Sequence, residues 1–355
     1  MAGSTGCCNA PSSTEFSTMN PFRKRLHRLV AALTFSLAAA GAHAQAELPR
    51  LPVTVFGAPS QSVWIPSLIQ HLGLDRKHGF ELVVTQKPSK VAYTDFATGN
   101  DPVCYCAAIA AVARFKQQGA DITLLWNIFN FETDVVVRDP ALKSLEQLRG
   151  KTLQTDTITG SWALSRWFLQ ARGLDESTLT IQSTSARGAG ALAELQLGRV
   201  DALLVNPTES AAAVAQGRGE LHAIPVFDQT VWQQVSGTDF VPSITLGVAS
   251  SWIEDPANQD LARRFYAANR EAAAFIREQP AEAARLVAQD SRLDPESMES
   301  VLRRYRDLIR IEPLRRHLDT VALLTQKLLP EGGQLPRPLT DAELDTFVST
   351  FDPEM

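Results

Sequence analysis

The sequence predicts an α/β fold, with sheets covered by helices. Beyond residue 50, short runs rich in Val, Ile, Leu and Thr alternate with longer stretches whose apolar residues recur at helical spacing. Gly, Pro, Asn and Ser punctuate the joins between them. No repeat of solenoid length and no low-complexity tract interrupts the alternation. At 355 residues the chain is long enough for two lobes of ordinary size. With 45% hydrophobic and 21% charged residues, it has the balance of a globular protein and not of a disordered one.

In chain order, Pro52 to Phe56 reads as a first strand, followed by Gly57 to Ser62 and a helix around Pro66 to Leu72 that Gly73 ends. Pro66 suits a first helical turn, where its missing N–H costs nothing. Phe80 to Thr85 is a second strand. A third lies near Pro102 and Val103, with an alanine-rich helix from about Ala107 to Gln117 and a stop at Gly119. Ile122 to Trp126 is a fourth. Val135 to Val137 begins another strand, Leu142 to Leu148 a short helix, and Lys151 to Thr155 a further strand, with Asp156 to Ser161 as the loop behind it. The helix that follows places Leu164, Trp167, Phe168 and Ala171 on one face. Then come a strand (Leu179 to Ser183), a helix (Ala189 to Leu197), a strand (Asp201 to Val205) and a helix opened by Asn206 to Glu209. Ile244 to Ala249 is a strand. A long helix carries Leu261, Phe265, Ala268, Ala272 and Phe275, and the chain reads as helical from there to Leu329. After the Gly/Pro-rich link 331–338, Thr340 with Glu343 forms a capping box for a last helix.

The N-terminus reads as an export signal. Arg23, Lys24, Arg25 and Arg28 precede an apolar run, Leu29 to Gly41, and Ala42-His43-Ala44 offers small residues at a cleavage site before Gln45. The run is shorter than the roughly 20 residues that span a bilayer. Residues 1–18 are polar and precede a second methionine, so translation is expected from Met19. No cysteine follows closely enough to accept a lipid. Four of the 34 basic and one of the 39 acidic residues precede Ala44, leaving the mature part near −8. An acidic body without a basic run offers no footprint for nucleic acid.

Of four cysteines, Cys7 and Cys8 fall in the leader, leaving Cys104 and Cys106 on either side of Tyr105. A bridge between i and i+2 is strained, so two thiols or a labile bond are expected. The mature histidines His71, His78, His222 and His317 lack metal-ligand spacing. No nucleophile elbow, phosphate-binding loop or dinucleotide fingerprint occurs.

The stretches Ser144 to Thr152, Thr159-Gly160-Ser161 and Ala171 to Leu174, with Ala191-Leu192 through Gly198-Arg199-Val200-Asp201-Ala202, resemble the ABC-transporter solute-binding proteins of the nitrate/sulfonate/taurine and thiamine-pyrimidine-precursor (NMT1/THI5-like) family. Gly73-Leu74, His78 to Leu82 and Gly119 to Ile122 match the same family's first lobe, so the resemblance covers roughly residues 50–290. Where the family has a G-x-x-D turn, this chain reads Gly99-Asn100-Asp101, with Asp101 one step early and Cys104-Tyr105-Cys106 after it.

The resemblance implies a type II periplasmic binding protein fold, two α/β lobes with a ligand cleft between them. Residues 45–132 and 243–330 would form lobe 1, 133–242 lobe 2, and 331–355 a C-terminal linker and helix, with crossovers near Asn130 to Thr133 and Asp239 to Ser243. It further implies a periplasmic, monomeric carrier that takes a small anionic or heteroaromatic solute and hands it to the membrane subunits of an importer. Neither cofactor nor metal is implied, and the chain would be neither an enzyme nor embedded in the membrane. A cysteine-dependent hydrolase or desulfinase on the same fold is the alternative, and a sensor partner a third reading.

Ligands of open α/β sheets sit where strands end and helices begin, and helix N-termini attract anions. Four such junctions are expected: Ser60-Gln61-Ser62, Cys104 to Cys106, Thr157 to Ser161, and Asn206 to Thr208. The candidates are Ser60, Gln61, Trp64, Cys104, Tyr105, Cys106, Asn127, Thr157, Gly160, Ser161, Trp162, Asn206 and Thr208. Plain helix capping is the competing explanation for the Ser, Thr and Asn residues, as core packing is for the aromatics. Arg187, after a strand, could pair with a carboxylate or sulfonate.

Overall fold

Short, mostly apolar strands alternating with amphipathic helices stack as sheets with helices returning across them. A computed structural model describes residues 47–184, 186 and 188–355. The leader, its cleavage site and Arg187 lie outside the described residues. Leu48–Met355 packs as one unit.

The first sheet has the order β11-β4-β10-β3-β1-β2: β1 (Arg50–Phe56), β2 (Glu81–Lys87), β3 (Val103–Ala108), β4 (Thr123–Asn130), β10 (Pro242–Val248) and β11 (Ile309–Pro313). The second has the order β7-β6-β8-β5-β9: β5 (Asp134–Val137), β6 (Thr152–Thr155), β7 (Thr180–Ser183), β8 (Ala202–Val205) and β9 (His222–Pro225). In each, a parallel core (β3-β1-β2, β7-β6-β8) is flanked by antiparallel strands. The chain passes from the first sheet to the second at 131–133 and returns at 237–241.

The helices that matter for the site begin at strand ends. They are α1 (Trp64–His71), α2 (Ser89–Ala97) and α3 (Ile109–Gln117) on the first sheet. On the second they are α4 (Gly160–Ala171), α5 (Ala189–Gln196), α6 (Pro207–Gln216) and α7 (Gln229–Ser236). The long α8 (Pro256–Glu278), α9 (Pro280–Val287) and α10 (Pro295–Tyr305) return to the first sheet, where Phe265, Ala268 and Ala272 join its core. Phe275 packs at the edge of that core, half-buried. The last helix, α11 (Asp341–Phe347), starts at the Thr340/Glu343 capping box.

A buried apolar cluster runs unbroken from Phe96 and Ile109 of the first sheet's side to Leu153, Leu164 and Phe168 of the second. The two sheets therefore share core. At the first crossing, Asp134 of β5 accepts hydrogen bonds from Tyr305 Oη at 2.7 Å and Arg304 Nη2 at 3.2 Å, both on α10. Beside it, the Glu132 carboxyl is pushed up to about 8 by burial, with Asp134 adding to the rise.

Two segments differ from the sequence expectation. Cys104-Tyr105-Cys106 is not a loop before a helix but the middle of β3, and α3 begins only at Ile109. All six β3 residues are buried, so the strand lacks the polar alternation that marks half-buried strands. The segment expected to be helical to Leu329 contains β11, whose Ile309, Ile311 and Pro313 face inward between half-buried Arg310 and Glu312. Among the described residues, no helix is long and apolar enough to cross a membrane.

Candidate functional site

The parallel strands β1, β6 and β8 all end at one cavity: Phe56, Thr155 and Val205, their last residues, line it. This is where the open-sheet rule places ligands. The cavity measures about 730 Å³ with its open mouth counted. The first sheet and its helices contribute Phe56, Ser60, Gln61, Tyr93, Ala108 and Ile244. The second contributes Gln154 to Asp156, Thr159, Ser161, Thr184, Ala186, Ala191, Leu203 to Asn206, and Glu209, while Thr133 comes from the crossing segment 131–133.

Local chemistry explains how these side chains are held. Ser60, extended at φ −153°, caps the turn Gln61–Val63, and its hydroxyl lies 2.9 Å from that of Ser62. Thr159 caps α4 by accepting from the Trp162 N–H at 3.3 Å. Asn206 caps α6, accepting from the N–H groups of Thr208 at 2.9 Å and Glu209 at 3.1 Å. Glu209 Oε2 accepts in return from Asn206 Nδ2 at 2.7 Å. Pro207, with no N–H to leave unpaired, fills the first helical position. All three capping residues line the cavity.

The two sides touch around the opening. Ser89 Oγ, at the start of α2, donates to Asp156 Oδ2 at 2.9 Å. Gly160 packs so tightly on the junction of β3 and α3 that a Cβ there would stand 2.6 Å from Ala108 Cβ. A Cβ on Gly188 would lie 3.5 Å from the Pro59 ring. Among the described lining residues the charged groups are two carboxylates, Asp156 and Glu209, with hydroxyls and amides around them. Phe56 and Tyr93 meet edge-on at 5.1 Å and give the cavity its aromatic wall.

The sequence profile of the NMT1/THI5-like family matches residues 70–283, more than half of the chain. The chain belongs to that family. Its fold is shared with the periplasmic aliphatic sulphonate binding protein SsuA of Escherichia coli (TM-score 0.65, 18% identity, 85% of this chain and 92% of that one). The alkanesulfonate-binding SsuA of Xanthomonas axonopodis pv. citri, bound to MOPS, is similar at TM-score 0.66 and 19% identity, over 84% of this chain and 98% of its own. The periplasmic nitrate-binding protein NrtA of Synechocystis PCC 6803 matches at TM-score 0.52 and 12% identity, over 71% and 69%. Among curated proteins, none is a significant sequence match.

In this NMT1/THI5-like chain the cavity gathers Ser60, Gln61, Ser161 and Asn206 of the residues expected from sequence. The others lie elsewhere. Trp64 is 1% exposed and packs edge-on against Phe129 at 5.6 Å in the first sheet's core. Asn127 is fully buried, its Nδ2 donating to Arg310 O at 2.9 Å and Asn130 Oδ1 at 3.2 Å. Thr157 and Trp162 line a separate surface hollow with Arg114 and Arg166. Gly160 faces Ala108, and Thr208 is wholly buried inside α6.

Cys104, Tyr105 and Cys106 are also wholly buried, and none lines the cavity. The two cysteines are bonded to each other, with Cα atoms 5.1 Å apart, and Tyr105 Oη donates to Asn269. The expected junction at this position is therefore corrected: the strand end that reaches the cavity is Ala108. Sixteen of the twenty lining residues were not among the candidates, and three of them are instructive. Phe56 and Tyr93 look like any core aromatics, and Gln154 sits mid-strand, away from the junctions that drew attention.

Proposed function

We propose that this chain is the periplasmic solute-binding component of an ABC importer, capturing a small polar organic solute or oxyanion between its lobes. The supporting observation is one cavity walled by strand ends and helix caps of both sheets, in a chain of the NMT1/THI5-like family. Lobe 1, in this reading, comprises 45–132 and 243–330, lobe 2 comprises 133–242, and 331–355 is the C-terminal segment. The solute enters while the lobes are apart, draws groups from both, and stabilises the closed arrangement by hinge motion at the two crossings. The Ser89–Asp156 bond and the Gly160–Ala108 contact are the seams along which closure would occur. Sulfonates, nitrate and pyrimidine-type heterocycles are the solutes to try first. The first two are named for proteins of the same fold, and Phe56 with Tyr93 suits a ring.

The mature protein should be screened by thermal melting against sulfonates, nitrate, pyrimidines, flavins and aromatic carboxylates. A ligand that binds only the folded state raises Tm continuously with its concentration. The reading expects such a rise for at least one class. Consumption of a compound with no rise in Tm would overturn it.

A further inference from the structure

Across the second sheet, one row of paired residues runs Gln182, Gln154, Leu203, Val136, Ala223, with Gln182 exposed on the edge strand β7. Leu203 and Val136 belong to an apolar cluster with Ala191, Leu192 and Leu195 of α5. Gln154 is 2% exposed in this apolar setting, and its Oε1 accepts no hydrogen bond. Buried acceptors are nearly always paired, because an unpaired one forfeits its water bonds on folding without compensation. A leucine or methionine would fill the same volume without that cost. Gln154 also lines the interlobe cavity together with Leu203 and Ala191. A residue that opposes folding, buried on the apolar side of its row and at the wall of the binding cavity, is explained by what enters the cavity.

We infer that Gln154 is a specificity-determining residue, whose carbonyl oxygen takes a hydrogen bond from an N–H or O–H on the end of the solute lying against β6 and β8. This rests on the carrier reading and narrows it to donor-bearing solutes. The carboxylates of Asp156 and Glu209 line the same wall, and the described lining holds no Lys, Arg or His. A purely apolar end would leave the Gln154 oxygen unpaired in the complex as well. A site built to bond a donor discriminates strongly against an analogue that lacks one.

The test uses pairs matched in shape: 2-aminoethanesulfonate against propane-1-sulfonate, and 4-aminopyrimidine against 4-methylpyrimidine. Each is titrated into the wild-type mature protein and into Gln154→Met, by calorimetry and by melting. The donor-bearing member of the pair that binds should be favoured about tenfold or more by the wild type, roughly one net hydrogen bond. In Gln154→Met that preference should vanish while the ligand-free protein melts higher. A wild-type preference for the donor-free member would mean that the amide presents its N–H₂ instead, and would overturn the inference even if the variant failed to fold. So would a preference unchanged by the substitution. If none of these compounds nor any of the wider screen stabilises the wild type, the carrier reading fails and this inference falls with it.

Discussion

Gly160 and Ala108 meet where the two sheets approach, and a methyl group on Gly160 would stand 2.6 Å from the Ala108 Cβ and 3.3 Å from the Ala111 nitrogen. A Cβ contact of 2.6 Å does not occur in folded proteins and one of 3.3 Å is tight, so space, not backbone conformation, requires glycine here. Gly160→Val should force the first turn of α4 off α3, at a cost of about 1–3 kcal/mol for overpacking. The protein should still fold, but any ligand-induced rise in Tm should shrink. A variant with unchanged denaturation midpoint and unchanged ligand response would show that the two helices are free to part.

Glu132 gives stability a pH dependence of definite sign. Burial raises its folded-state pKa to about 8, above the ordinary carboxylate value, so between those limits the folded state holds more protons than the unfolded one. Its stabilising contribution is complete in acid and is lost as pH rises toward 8. Asp134, Arg304 and Tyr305 surround it, so only part of the full linkage is expected, on the order of 2 kcal/mol between pH 5 and 8. Glu132→Gln, which cannot ionise, should flatten the urea-denaturation profile over that range and stabilise the protein at pH 8. A profile identical to wild type would place the titration elsewhere.

Asn206 does two things: it caps α6 and lines the cavity. Asn206→Ala removes the acceptor used by two N–H groups and should cost about 1 kcal/mol, whereas Asn206→Ser keeps a capping oxygen without setting a like charge beside Glu209 and should cost less. Denaturation of the two variants separates the capping role from any loss of ligand response. Equal losses for both would mean that the cap contributes nothing.

The Cys104–Cys106 bond lies inside β3 with neither sulfur-bearing residue exposed. Folded mature protein should therefore show no thiol to a colorimetric reagent, and unfolding alone should reveal none. Reduction after unfolding should reveal two. A thiol reacting in the folded protein would contradict the buried bond.

Much of the fold was legible because strand alternation and Gly/Pro punctuation are local signals. That is how β1, β6 and β8 and the helices behind them appear in the sequence. β3 was misplaced because Cys104 to Ala108 is buried on both faces and, Tyr105 apart, small, which imitates the start of an alanine-rich helix. β11 hid its period of two inside a charged stretch, and α2, which carries Tyr93, had no strong signal. In the site, Ser60, Gln61, Ser161 and Asn206 could be found from their places at strand–helix junctions. Which aromatics face the cleft could not, since Trp64 and Phe56 differ only in the tertiary surface each meets. Gln154 becomes conspicuous only once it is known to pair with Leu203 at the edge of an apolar cluster.

Gln61 and Ser161 face the cavity from opposite sheets, and neither side chain makes a hydrogen bond to another described residue. They are thus suited to testing whether one solute is held by both lobes. The measurement is calorimetric titration of the most stabilising compound into wild type, Gln61→Ala and Ser161→Ala. One molecule should bind per chain, and each substitution should weaken it about tenfold, as the loss of one ligand hydrogen bond does. Binding that neither substitution alters would place the solute outside this cleft and contradict the account.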